Sequence, residues 1–465
     1  MKKHHLIFLT TAIFTVLFYE QSVGLNLGIF GLILSALVYF TASRSVMNKT
    51  FYALLAAGIG SSVAFAWYGD FVSFLAIFLS LSLLVFHAQS VHLKPIFALL
   101  VIPQNAVSFV VRVLPFDKWL PKPQPDVNIW KRLFAYLLVP LLLVIIFFLV
   151  YSLGSEHFAD ILLHWEWKIN IGAVYLMTVF GFYLMFNFWN YSAGKFLEKQ
   201  SRLFANDFIK TTDIQKPTLS FISEDMERTG GVISFICLNV LLLVYVITFN
   251  YEQFFEMSSK YDLSAETHER VNTVIFSIIM AIALIMFYFK KAFNFDPKAK
   301  RLKILAIIWI VLNAVLVFSA IIKNTEYIDE MGLTYKRLAV YAFLALSLIG
   351  LFYTFIKIHK KKTNAFLFNR MFWYFFGILL MCSFINWGGI ITRYNMNQSH
   401  FEIDYHIEKL NFNDKILIKY AEEKGDTATV GFIYSRLPEK YYSNRHEPVK
   451  FLSKNLYYAT LPVKK

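Results

Sequence analysis

Three polar groups in this chain carry residue types that do chemistry. The first is KNTEYIDEMGLTYKR, Lys323 to Arg337, which sets Glu326, Asp329 and Glu330 beside Tyr327, Tyr335, Lys336 and Arg337, with Gly332 and Thr334 between them. Carboxylates next to a guanidinium can hold a cationic head group or a metal, act as acid and base, or pin a loop in place. The plainer reading is an interfacial helix of about two turns, with Tyr327, Ile328, Met331 and Leu333 facing lipid, Gly332 ending it and Arg337 tucked against the next helix. Arg393, Tyr394 and Asn395, just past the last apolar run, offer that loop a second cation and a second amide. The second group is EHFADILLHWEW, where His157, Asp160 and His164 fall on one face of a helix with Glu156 alongside. Imidazole and carboxylate at that spacing suit zinc. Trp165 and Trp167 point instead to a helix resting at head-group level, and neither an HExxH pattern nor a cysteine partner supports a metal. The third group, His400, Glu402, Asp404 and His406, alternates polar residues and reads as a strand-like linker. The sequence therefore predicts no metal and no cofactor.

The elements that must position these groups are apolar. The chain is 57% hydrophobic, 18% aromatic and only 16% charged, with a mean hydropathy of +0.52, too little polar surface for a soluble globule of 465 residues. Apolar runs fall at 5–20, 25–43, 51–69, 71–89, 133–153, 170–190, 231–250, 271–289, 304–322, 338–356 and 371–390, about eleven helical crossings of a hydrocarbon layer about 30 Å thick. The fold class is thus an all-α polytopic membrane protein, with a transmembrane domain over 1–390 and a small soluble tail over 391–465. One further stretch, 96–114, is apolar but broken by Pro103-Gln104-Asn105 and followed by Pro115, Pro121, Pro123 and Pro125. It reads as a re-entrant or interfacial segment.

Charge orients the chain. A net charge of +14 would favour nucleic acid as partner of a soluble protein; here it follows topology, because Lys and Arg are retained on the cytoplasmic side. If 96–114 does not cross, the basic stretches Lys2-Lys3, Arg44–Lys49, Lys94–Arg132, Lys195–Arg228, Lys290–Lys303 and Lys357–Arg370 all fall on one side. The N-terminus is then cytoplasmic and the tail outside. If 96–114 crosses, the two halves of the chain demand opposite orientations. MKKHH and the run after it resemble a signal peptide, but Glu20-Gln21 stands where a small-residue cleavage site belongs, so the segment reads as a retained span.

No Asp, Glu, Lys or Arg lies inside any expected span, whereas an ion-coupled carrier commonly keeps one at mid-depth. The polar residues within spans are amides and hydroxyls such as Asn187, Asn190, Asn239, Asn313 and Asn386, which commonly tie helix to helix. Asn386, beside Trp387-Gly388-Gly389, marks a place where a helix can open. In the loop 191–230, KFLEKQSRLFANDFIK suits an amphipathic helix on the membrane. In the tail, Asn413 to Lys424 suits a helix ended by Gly425. Cys237 and Cys382 fall within spans and form no CxxC pair.

FYEQSVGLNLGIF near the start, EYIDEMGLTYKRLAVYAF in the outer loop 323–337 and NWGGIITRYN at the end of the last span resemble a bacterial multispan inner-membrane family catalogued only as a domain of unknown function. The markers are Gly332-Leu333-Thr334 with Arg337, and Arg393-Tyr394-Asn395. The resemblance covers most of the chain up to about Asn395 and implies membrane location and many spans, with no established activity. Trp387-Gly388-Gly389 stands where relatives are expected to carry an acid, so acid chemistry is not carried over to that spot.

The candidate cluster is therefore Tyr327, Asp329, Glu330, Gly332, Thr334, Arg337, Asn386, Arg393, Tyr394 and Asn395. The expected function is that of a non-enzymatic structural, sensory or assembly component of the bacterial inner membrane, with the lipid bilayer and envelope proteins as partners and no nucleic acid. One rival is a carrier of a neutral or amphipathic substrate. Another is a membrane-embedded enzyme on a lipid-linked substrate, with Asp70, Glu326 or Asp329 as acid or base; no P-loop, dinucleotide or GxSxG pattern supports an enzyme class.

Overall fold

The computed structural model describes residues 2–89, 93–115, 118–120, parts of 139–147, 170–208, 222–255, 263–398, 401–441 and 450–461. Every regular element among them is helical, as expected where no water is present to satisfy backbone amides. Seven helices are long and apolar enough to cross a membrane. The expected span 133–153 and the His157 group lie essentially outside the described residues, as does His400.

The chain forms two compact units. The first comprises 1–21 and 104–192, and is built on α1 (Lys3–Phe18) and a helix over Ile171–Trp189. Trp189 Nε1 donates to Thr10 Oγ1 at 3.1 Å, and Thr15 meets Thr178 at 3.2 Å. Arg112 is fully engaged here: it donates to the carbonyls of Asn105 and Asn190 at 2.7 Å each and to Asn187 Oδ1.

The second unit, 22–103 and 193–465, holds the candidate cluster. Its helices are α2 (Leu25–Thr41), α3 (Lys49–Tyr68), α4 (Phe71–Ala88), α5 (Pro95–Val107, shared across the unit boundary), α6 (Lys195–Leu203), α7 (Glu224–Phe255), α8 (Leu263–Tyr288), α9 (Lys300–Met331), α10 (Tyr335–His359) and α11 (Asn364–Ser383). Helices α2, α3 and α4 pack closely because Ser35, Gly58, Ser61, Ser62 and Ser80 on their facing sides are small. A larger apolar core joins α7 to α10 through Phe235, Ile278, Ile285, Leu302, Leu316, Leu344 and Leu351. Asn239 ties two of these helices directly, its Nδ2 donating to the Leu305 carbonyl at 3.0 Å.

Two expectations about these elements are corrected. The outer loop 323–337 holds no separate interfacial helix, because α9 runs unbroken for 32 residues to Met331. At 1.5 Å per residue that is about 48 Å, longer than the hydrocarbon layer, so both ends project from it. Tyr327, Ile328 and Leu333, expected to face lipid, are buried, and only Met331 is exposed. The last span is shifted as well: α11 starts at Asn364 and stops at Ser383, leaving Asn386 outside it. Segment 96–114 becomes the 13-residue α5, which takes in Pro103, and a five-residue helix Phe109–Val113.

The expected spans contain no charged residue, yet Lys357, one position past the 338–356 run, is completely buried. Its ammonium donates to the Phe289 carbonyl at 2.8 Å. That bond, together with one from Asn294 Nδ2 at 2.8 Å, satisfies the buried carbonyl just past the C-terminus of α8, where a cation is favoured.

Candidate functional site

The tail folds into a helical cap on one end of the second unit. Its elements are α12 (Trp387–Asn395), α13 (Ile403–Lys409), α14 (Asp414–Glu423), α15 (Thr427–Tyr441), a 3-10 turn Phe451–Ser453 and α16 (Leu456–Ala459). The expected strand-like linker near 400–406 is thus a helix from Ile403, since Ile403, Ile407 and Leu410 all turn toward apolar neighbours of the cap. The expected helix near 413–424 is α14, and Gly425 beyond it has φ +70°.

At the turn between α9 and α10, Gly332 takes φ +79°, a conformation that side chains with a Cβ rarely adopt. Thr334 Oγ1 then caps α10 by accepting from Arg337 N at 3.4 Å. Arg337 does not pair with Glu326, Asp329 or Glu330. It donates to the carbonyls of Met331, at 2.9 Å, and Gly332, and its guanidinium lies 3.9 Å from the Tyr327 ring centroid. The arginine thus closes the C-terminus of α9, with the cation held over an aromatic face. Asp329 accepts from the Tyr394 hydroxyl at 2.7 Å, and that bond holds the phenol up to about 12, because ionising it would set phenolate against carboxylate. Glu330 and Arg393 are exposed, and neither has a hydrogen bond or ion pair among the described residues.

The centre of the cluster is Asn395. Its Oδ1 accepts from Leu333 N at 2.6 Å and its Nδ2 donates to the Leu333 carbonyl at 2.9 Å, so both main-chain polar groups of one buried residue are satisfied by one side chain. The same Nδ2 stands 3.2 Å from His406 Nε2. Since Leu333 fixes the amide's orientation, Nε2 must accept, and the imidazole proton sits on Nδ1, 3.1 Å from Thr392 Oγ1. Asn413 completes the net by donating to Thr392 Oγ1 and to the His406 carbonyl, both at 2.9 Å. Burial lowers the His406 pKa to about 4. Both ring nitrogens of the imidazole are engaged within the net, and among the described residues no cluster of three or more His, Cys, Asp and Glu is placed to hold a metal.

Asn386 joins a second seam. Its Oδ1 accepts from Gly389 N at 2.8 Å, capping α12, while its Nδ2 donates to the Phe412 carbonyl at 2.8 Å. Phe412 has φ +64°, costly for a bulky residue, and is held there by that bond and by Tyr68, Tyr457 and Tyr458, at ring distances of 5.0, 5.2 and 5.6 Å. A Cβ on Gly388 would sit on the Asn411 carbonyl oxygen. The last turn of chain reaches α2, with Leu25 N donating to the Lys454 carbonyl at 3.0 Å, and Asn455 lies against Gly69. Asp70, weighed as an acid or base, caps α4 by accepting from Ser73 N at 2.8 Å.

The structure therefore gathers Tyr327, Asp329, Gly332, Thr334, Arg337, Tyr394 and Asn395 at one turn and sets Asn386 on the adjoining seam. Sequence reading misses Thr392, Phe412 and Asn413, and takes His406 only as part of a strand-like linker. The only available signal is His406 itself, a polar residue amid apolar positions of the tail.

Apolar helices long enough to span a bilayer, capped at one end by a folded tail, make this a helical membrane protein. The chain belongs to the family described as Domain of unknown function (DUF4153), which matches residues 29–414 and so takes in the whole Leu333–Asn395–His406–Asn413 net. No curated protein and no solved structure gives a significant match.

Proposed function

We propose that the chain is a bacterial inner-membrane protein of about eleven crossings, with its N-terminus in the cytoplasm and its tail outside. It serves the envelope as a structural, sensory or assembly component, and the tail cap is the surface offered to envelope partners. The observation that carries this reading is how the cluster uses its polar groups. Asn386, Asn395 and Arg337 all bond to main chain: the two asparagines join helix ends to the cap, and the arginine closes the α9–α10 turn beside it, while Asp329 is engaged by Tyr394. Groups arranged to hold a joint closed suit a scaffold better than a reaction centre, which needs an acid or base free to reach substrate.

The test is complementation of the deletion phenotype by single variants. Asp329→Ala and Glu330→Ala are expected to restore function, and Gly388→Ala and Asn395→Ala to fail, with partners lost from the material that co-purifies. The reverse pattern, with a folded D329A protein that complements nothing, assigns the site to an enzyme instead.

A further inference from the structure

At the end of the second unit opposite the cap, α6 is held by one face only. Ser201 is buried and its Oγ accepts from Lys94 N at 2.9 Å. Phe204, just past the helix, meets Phe97 at 5.4 Å and Phe368 at 6.0 Å between ring centroids. Thr363, which caps α11, donates through N to the Asn206 carbonyl at 3.2 Å and through Oγ1 to the Ala205 carbonyl at 2.6 Å. The helix is thereby fixed beside the starts of α5 and α11, at the depth where apolar helices end.

Among the described residues its other faces are open. Lys195, Lys199 and Arg202, at i, i+4 and i+7, form one stripe along it, and none makes a hydrogen bond to a side chain or an ion pair among the described residues. Next to that stripe, Phe196 is 69% and Leu203 65% exposed. Helix electrostatics accounts for Arg202 in the last turn but not for Lys195, which at the first helical position opposes the helix dipole. The only acid among them is Glu198, and together with Leu203 the four charged side chains line a hollow of about 340 Å³.

We propose that α6 is a binding edge for anionic phospholipid. Phe196 and Leu203 enter the acyl boundary, and Lys195, Lys199 and Arg202 hold the phosphate of a net-negative head group in the hollow. An apolar edge flush with a cationic stripe is what an interfacial helix presents to such lipid, whereas a soluble acidic partner has no use for the exposed phenylalanine. The inference rests on the membrane class of the chain and is independent of any envelope role.

The experiment uses the full-length protein in nanodiscs of phosphatidylcholine containing phosphatidylglycerol, with the lipid retained on gentle release read by native mass spectrometry. Wild type is expected to retain phosphatidylglycerol over phosphatidylcholine, and the preference is expected to weaken as salt is raised. K195Q/K199Q/R202Q should lower that preference by about 10- to 100-fold, while K415Q/K419Q/K424Q on the tail leaves it unchanged. F196S/L203S should reduce retention of both lipids. Because the three cations have no side-chain partners among the described residues, the first variant is expected to keep the fold, and a circular dichroism melt checks it. A wild type without preference, a triple variant that retains phosphatidylglycerol as wild type does, or displacement of the lipid by millimolar inorganic phosphate overturns the proposal.

Discussion

At the scale of single residues, Asn395 decides whether the cap stays on. Replacing it with Ala leaves the Leu333 N–H and carbonyl buried without partners and removes the donor facing His406. The expected loss is about 2–4 kcal/mol of local stability, seen as faster proteolysis of the tail while the apolar helices stay protected. His406 adds a pH dependence with a definite sign. Its folded pKa is about 4 against an ordinary value of 6.5, so between these the open state binds the extra proton. The cap is then most stable above pH 6.5 and loosens as pH falls toward 4, by at most about 1.4 kcal/mol per pH unit. The groups near the ring are Thr392 and Asn395 on α12, Tyr405 on its own helix, Phe401 and Asn413. None supplies a carboxylate to stabilise imidazolium. Asn395→Asp would supply one, and should move the transition upward in pH; amide exchange of residues 333 and 406 across pH 4–7 reads both effects.

At the scale of elements, the break between α11 and α12 is what allows a span to become a cap. Asn386 stops one helix seam and starts the next, and Gly388 lets the chain before α14 pass against α12. Gly388→Ala should therefore displace 410–413, costing more than Gly377→Ala, where an added Cβ meets nothing within 4 Å. The comparison is made by thermal unfolding of the two proteins in one detergent, and equal melting points would refute the close approach. This scale also explains what is legible in the sequence. Gly332 as a helix end, Asn386-Trp387-Gly388-Gly389 as an opening and Gly425 as a stop follow from local preference, and each falls at an observed boundary; the apolar runs follow from it too, though α11 starts and stops earlier than its run. Arg337 and His406 do not, because their partners are a carbonyl of a preceding helix and an amide on another element, and no spacing rule connects them. For the same reason residues 400–406, alternating polar and apolar, read as a strand, whereas the apolar core of the cap makes a helix from Ile403 onward.

At the scale of the molecule, the cap constrains how the chain crosses the membrane. Tyr68 touches Phe412, Leu333 is clamped by Asn395, and both lie at one end of the second unit, so on the proposed topology an even number of crossings is expected between them. The runs 71–89, 133–153, 170–190, 231–250, 271–289 and 304–322 supply an even number, and a crossing by 96–114 would make it odd. The opposite end gives a second, independent parity. Phe97 meets Phe204, and only the runs at 133–153 and 170–190 are needed between them. A 13-residue α5 is about 20 Å long, short of the hydrocarbon thickness. In a background without Cys237 and Cys382, a single cysteine at Lys118 or Lys199 should therefore react with a membrane-impermeant reagent only after the cytoplasmic face is opened, and one at Asp426 should react in intact cells. Labelling of Lys118→Cys and Asp426→Cys from the same face would mean that an odd crossing has been missed, and that the positive charge of 94–132 does not hold that segment in the cytoplasm.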